Sequence, residues 1–360
     1  MDRLALRGHL VDFIDTPALD DPRHSGARVR PEHWLLIEGG RIAAVQPGPA
    51  PAGWPVVDHG DGLVRRGLMD AHVHREQLVA VGSAAAGVLD WLSRHTFPAE
   101  MKFADAAHAQ AQAALFVDAL LDHGTTFACV FPTVHAASVD ALFEAAAARG
   151  MGLAAGKVMM DRLAPAPLCD TVAQAARECA ALIGHWHGRG RAVYAVTPRF
   201  APSSSDAQLA LAGQLCVDWP GLVLQTHLAE QRGELAEVAR LFPHARSYTE
   251  VYAGHGLLGP RRLLAHGLWL DDADRARLHE AGATLVFCPS SNLFLGSGLF
   301  DWRRAQDAGI PVALGSDVGG GTSLSMRRTM GDAFKVQALA GVRPSAWALL
   351  HAATRAPARA

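Results

Sequence analysis

No unbroken apolar run in this 360-residue chain approaches the roughly 20 residues that a membrane-spanning helix needs, so no membrane partner is expected. Cysteine is scarce. Cys129, Cys169, Cys179, Cys216 and Cys288 are odd in number, widely spaced and never in a C-x-x-C pair, so they read as reduced and mostly buried rather than as a disulfide framework. Charge of one sign is also missing: 33 basic and 35 acidic side chains leave a net charge of −2, with no basic block to track a polyanion. Nucleic acid is therefore not an expected partner. The first 16 residues carry Arg7, His9 and Asp12 inside their apolar pattern and lack a small-residue cleavage site, so no secretory signal is expected and the cytoplasm is the expected compartment. Three motifs are absent: a Gly-x-Gly-x-x-Gly turn after the first barrel-type strand, a second histidine completing H-E-x-x-H at His279-Glu280, and a P-C-x-x-C accompanying H-x-E. Dinucleotide binding on an open sheet, zinc-protease chemistry and cytidine-deaminase chemistry lose their signatures with them.

What the chain does have is apolar residue in bulk, 50% with a mean hydropathy of +0.10, enough for a large buried core. Residues 1–62 are rich in Pro and Gly with short β-type runs. Trp34 to Glu38 and Arg41 to Val45 flank Gly39-Gly40, which predicts a hairpin inside a small β-sandwich-like module. From residue 63 to 360, short apolar runs alternate with Ala- and Leu-rich segments of helical period. The runs are 67–74, 125–131, 153–160, 191–198, 222–228, 263–266, 284–288 and 312–316, eight in all, which predicts a (β/α)₈ barrel of the TIM type, for which about 250 residues is typical. A doubly wound open sheet is the alternative.

Such a barrel gathers its active site at the C-terminal ends of the strands, so polar residues that close an apolar run are the candidates. His72 and His74 close the first run, two apart and therefore on one face of a strand. His227 closes the fifth run, His266 the sixth, and Asp317 follows the eighth. Four imidazoles and one carboxylate suit Zn²⁺, with Fe²⁺ second, better than cations that want oxygen ligands. With 18 histidines, chance pairs arise, and His185-Trp186-His187 is one. It lies at a helix end, where residues two apart face different ways, so it is not expected to bind metal; His123 before Gly124 reads as a helix-end residue. Glu230, three residues after His227, can face the metal-bound water as a proton shuttle; its ordinary alternative is an acidic residue favoured at a helix start. Arg199 and Phe200 follow the fourth run, and Gln77 follows His74; together they offer a guanidinium, an aromatic face and an amide to a flat heteroaromatic ring.

These residues, with Leu89-Asp90-Trp91-Leu92, Thr96-Phe97-Pro98-Ala99-Glu100, Gly156-Lys157-Val158-Met159-Met160-Asp161, Val196-Thr197-Pro198-Arg199-Phe200 and Ser316-Asp317-Val318-Gly319-Gly320-Gly321, resemble the amidohydrolase superfamily and, within it, the guanine deaminase family. The resemblance runs from about residue 35 onward. It implies a homodimeric enzyme that hydrolyses guanine to xanthine and ammonia with one zinc held by His72, His74, His227 and Asp317, and with His266 beside it at the metal-water centre. It further implies that Glu230, Asp317 and His266 act on protons, and that His74, Gln77, Arg199, Phe200, His227, Glu230 and Asp317 surround the purine base. Lys157 matches a bridging lysine of two-metal relatives, but the similar lysine of this subfamily is not a ligand. Two stretches depart from the family pattern, Arg66-Gly67 for Pro-Gly and Cys288-Pro289-Ser290-Ser291-Asn292 for a His-Cys-Pro-Asn-Ser-Asn-like run; neither removes a ligand. Relatives continue past the segment resembling 353–357 into strands that complete the β module, so that module is expected to be incomplete, with open edges. Alternative readings are an aminohydrolase acting on an oxidised guanine, a triazine or a pterin, and a non-catalytic or inactive barrel serving as an interaction protein.

Overall fold

Apolar runs too short for helices and rich in Val, Leu and Ala become the parallel strands of one sheet, because each is buried on both faces. The computed structural model describes residues 3–21, 23 and 26–360; residues 1, 2, 22, 24 and 25 of the expected β module lie outside the described residues. The small sheet comprises β1 (Arg3–Phe13), β2 (Ala27–Glu38), β3 (Arg41–Gln46) and β4 (Val56–Arg65), in the order β3-β2-β1-β4. The predicted hairpin is β2–β3, with Glu38 opposite Arg41 around the glycine turn. β4 runs past residue 62 to Arg65 and pairs parallel with β1. Its edges β3 and β4 carry exposed Ile42, Val45, Val56, Val57 and Leu63. Phe13, at the end of β1, packs edge-on against His351 at 5.1 Å and Trp347 at 6.4 Å, which docks the sheet on the main body.

That body is a (β/α)₈ barrel. Its strands are β5 (Leu68–His74), β6 (Thr125–Phe131), β7 (Gly152–Ala155), β9 (Ala192–Pro198), β10 (Val223–Leu228), β11 (Arg262–His266), β12 (Thr284–Phe287) and β13 (Val312–Leu314), neighbours in that order, and β8 (Val158–Met159) pairs with β9. The third predicted run is thus two pieces. Gly156 interrupts it where the chain presses on β9, since a Cβ there would sit 1.8 Å from the carbonyl oxygen of Ala195. The helices between strands start where side chains cap them: Asp105 accepts from the Ala107 and His108 amides, Thr171 from Gln174 and Ser205 from Gln208. Small side chains fill the lumen, among them Ala71, Cys129, Ala154, Ala265, Val286 and Ala313, and Ala356 of the last helix joins them. Among the described residues, no helix is long and apolar enough to cross a membrane.

The barrel closes at the seam between β5 and the segment after β13. The Asp317 amide donates to the His72 carbonyl at 2.8 Å and the His74 amide to the Val318 carbonyl at 2.6 Å. Asp70, buried in the wall, accepts from the Ser316 amide at 2.9 Å, the Ser316 hydroxyl at 2.5 Å and the His72 amide at 3.2 Å. Replacing Asp70 by Ala leaves those buried donors without an acceptor, and such losses cost about 2–4 kcal/mol. Urea unfolding of Asp70→Ala is expected to show an unfolding free energy lowered by that amount, and a correspondingly lower midpoint; an unchanged midpoint would remove Asp70 from the account of closure.

Candidate active site

Strand alternation puts His72 and His74 on one side of β5 with buried Val73 on the other. Their Nε2 atoms lie 3.2 Å apart, and His74 Nε2 is 3.1 Å from Nε2 of His227. Asp317 Oδ1 completes the group at 3.2 Å from His72 Nε2 and 3.4 Å from His74 Nε2. His227 Nδ1 sits 2.7 Å from the Arg199 carbonyl oxygen; that oxygen only accepts, so Nδ1 carries the proton and the Nε2 lone pair faces the group. Burial pushes His74 down to about 4 and His227 well below its ordinary range, so these imidazoles are neutral at pH 7. Burial alone would raise Asp317, but His72, His74 and His266 outweigh it and hold the carboxyl well below the usual range. The nearest nitrogen or oxygen atoms of these four residues all lie within 4.8 Å of one another, each able to offer a lone pair to a cation placed between them. The donor set fits a divalent transition metal.

His266 stands outside this four-residue group. Its Nε2 is 3.7 Å from Asp317 Oδ2 and 3.6 Å from Glu230 Oε2, and it forms a second cluster with Cys288 and Asp317. Asn292 Nδ2 donates to His266 Nδ1 at 2.9 Å, which leaves the proton on Nε2, on the side of the two carboxylates but beyond hydrogen-bond distance of either. Backbone strain collects here: Ala229, His266 and Asp317 have φ of 49°, 74° and 51°, a left-handed conformation uncommon outside glycine.

Glu230 follows β10 and is only 4% exposed. Ser297 donates its hydroxyl to Oε1 at 2.7 Å. Burial, then the negative charges of Asp317 and Glu234, push its carboxyl well above the usual range against the Ser297 bond. Glu234 caps the following turn by accepting from the Glu230 and Gln231 amides. A cleft lined by His74, Gln77, Arg199, Phe200, Glu230 and His266 among others opens beside this group. Arg199 spends Nη1 on both oxygens of Glu100, at 2.9 and 2.8 Å, and Gln77 Nε2 donates to Glu100 Oε1 at 3.2 Å.

A family model described as "Amidohydrolase family" matches residues 64–360. The chain belongs to the amidohydrolase family. It is 40% identical over 357 residues to the guanine deaminase of Escherichia coli (strain K12), covering 97% of this chain and 81% of that one. The solved structure of E. coli guanine deaminase superposes with a TM-score of 0.93 over 98% of this chain and 83% of the other. A guanine deaminase structure from C. acetobutylicum, with guanine bound in its active site, matches at 27% identity and a TM-score of 0.90, covering 99% of this chain and 86% of that one. The family is metal-dependent, and the His–Asp group is where this member has ligands for an ion.

The sequence expectations fall on this geometry unevenly. His72, His74, His227 and Asp317 lie together, His266 lies one carboxylate away, and Gln77, Arg199, Phe200 and Glu230 line the same cleft. The decoy pair serves local bonds: His185 meets Arg189 and His187 accepts from the Tyr194 amide. His123 bonds back to the Ala119 carbonyl at a helix end. Lys157 turns from the cleft to Asp170 at 2.5 Å and Glu178 at 3.0 Å, and also reaches the Val134 carbonyl. Sequence reasoning passed over Phe131, whose ring lies 4.7–4.8 Å from those of His72, His74 and His227, because only polar strand ends were counted. Glu100 lies inside the Thr96–Glu100 motif without a polar strand end to mark it, and Ser297 lies outside every motif. Removing one imidazole of the four-residue group is expected to abolish tight metal retention. His227→Ala, dialysed and measured by plasma mass spectrometry, should hold less than about a tenth of the wild-type metal, given that each ligand fixes coordination; retention at the wild-type level would exclude His227 from the ligand set.

Proposed function

We infer that this enzyme hydrolyses guanine to xanthine and ammonia, and that Zn²⁺ rather than Fe²⁺ is the ion held by His72, His74, His227 and Asp317. The observation that carries the reading is one cleft in which a buried, protonatable Glu230 flanks the His–Asp group while Arg199 and Gln77 line the wall, in a chain 40% identical to a guanine deaminase. An ion in that position supplies Lewis acidity that brings the ionisation of water close to neutral pH.

The residues do the rest. Arg199 donates to the ring carbonyl, Gln77 meets the adjacent ring edge, and Phe200, 6% exposed, offers its ring to the base. Phe131 packs behind the imidazoles and keeps them in place. Asp317, held ionised, and Glu230 take the proton of the attacking water. Glu230 delivers that proton to the ring nitrogen beside C2; the second proton of the same water, lost from the new C2 hydroxyl as it becomes a carbonyl, passes by way of Asp317 and Glu230 to the departing amine. The balance is one water consumed, one C2–N bond broken, one C2–O bond formed and one ammonia released. His266, with its Nε2 proton directed at Asp317 and Glu230, steadies the negative charge that passes between them.

The alternative of a barrel retired from catalysis would be expected to have lost ligands or the shuttle, and these stand together here. We place the reaction in the cytoplasm, in keeping with five free cysteines, and propose a homodimer on the resemblance. Sedimentation at micromolar concentration should give twice the chain mass of 38.2 kDa; a monomer would overturn that assignment. For the chemistry, Glu230→Gln is expected to keep its metal and lose about 10²–10⁴ of kcat, the usual worth of a general acid–base. Chromatographic detection of xanthine from guanine reads the outcome, and full turnover in the purified variant would sink the shuttle role.

A further inference from the structure

We propose that Glu100 is a positioning residue that sets the hydrogen-bond polarity of the cleft wall, and so selects 6-oxopurines over 6-aminopurines. The proposal rests on the reading of guanine as substrate. Glu100 ends the short helix Phe97–Glu100 and is 2% exposed, behind the wall that Gln77 and Arg199 line. An ionised carboxylate can only accept. Gln77, 3.2 Å away through Nε2, must therefore turn its NH₂ toward Glu100 and leave its carbonyl oxygen for the cleft. Arg199, with Nη1 taken by both carboxylate oxygens, has its remaining guanidinium donors for the cleft. Its plane is fixed a second time, by Phe97 of the same helix, whose ring centroid lies 5.5 Å from Cζ.

One buried carboxylate thus converts two side chains into a fixed donor beside a fixed acceptor. A 6-oxopurine offers the complement, a carbonyl oxygen next to a ring N–H. A 6-aminopurine offers an amino donor next to a bare ring nitrogen, which sets donor against donor and acceptor against acceptor. A site that pairs its polar groups with the correct ligand and strands them with the wrong one discriminates strongly. A glutamine at position 100 would break the logic, because its amide can donate as well as accept. Gln77 could then present either end, and Arg199 would lose its charged partner.

The test compares guanine with 2,6-diaminopurine, which keeps the 2-amino group and replaces only the 6-oxo group. In Glu100→Gln, the KM for guanine is expected to rise about 10–100-fold with kcat less affected and metal content unchanged, as for a lost orienting contact. The ratio of guanine KM to the inhibition constant of 2,6-diaminopurine should move at least roughly tenfold toward the diamino base. A folded, metal-loaded Glu100→Gln whose ratio equals that of the wild type would overturn the proposal, since a purely structural role weakens both bases together. Should that variant not fold, Glu100→Asp takes its place. Withdrawing the carboxylate by one methylene releases the 3.2 Å bond to Gln77 first, so several-fold changes in KM and in the ratio are expected, and unchanged values would count against the role. Wild-type protein that leaves guanine untouched would remove the substrate reading itself, before any variant is compared.

Discussion

Everything at the catalytic end depends on the seam where the last barrel strand meets the first. His72 and His74 belong to β5 and Asp317 to the turn after β13, so these side chains from opposite ends of the barrel sequence share a point only when those ends are joined. Two backbone bonds and the Asp70–Ser316 contacts make that join. The His72 carbonyl receives the Asp317 amide directly, which sets the height of the carboxylate against the imidazoles. A barrel left open by one residue of register would keep its core and lose its site, because side chains in a strand reverse face with every residue.

The same low-dielectric interior drives neighbouring acids in opposite directions, and their neighbours decide which. Asp70 accepts three hydrogen bonds, yet burial still raises its carboxyl to about 6. Asp317 is equally enclosed but faces three imidazoles, and it stays ionised. Glu230 has a serine hydroxyl and two acidic neighbours, and its carboxyl is pushed well above the usual range. Three carboxyl groups are thereby set apart in proton affinity by packing alone. Charges elsewhere in the wall are matched in place, Arg199 with Glu100 and Lys157 with Asp170 and Glu178, as buried ions require.

Strand positions were legible because burial on both faces leaves a plain mark: 125–131 is β6 residue for residue, and the other runs shift at their ends by one or two. The third run failed as a single strand for a reason that no pattern carries, the approach of Gly156 to the Ala195 backbone. Candidate ligands were legible for a related reason. A polar residue closing an apolar run has few structural excuses, so His72, His74, His227 and Asp317 stood out, and the decoy at His185 and His187 was separable by its helical setting. Phe131, Glu100 and Ser297 left no such mark. One is an apolar residue in an apolar strand, and the other two act through side chains far from them in sequence.

Periodicity and strand-end chemistry, both local properties, were thus sufficient for the barrel and for the strand-end side chains that gather at the cleft. What they could not rank was His266 against the other imidazoles, since all four close apolar runs alike; its distance from the group and its bond from Asn292 set it apart. Nor could they say which groups keep their protons, or that a glutamate 99 residues before Arg199 would hold it. Those outcomes depend on burial and on partners across the barrel. Spacing along the chain carries no record of either until the seam closes and the strand ends meet.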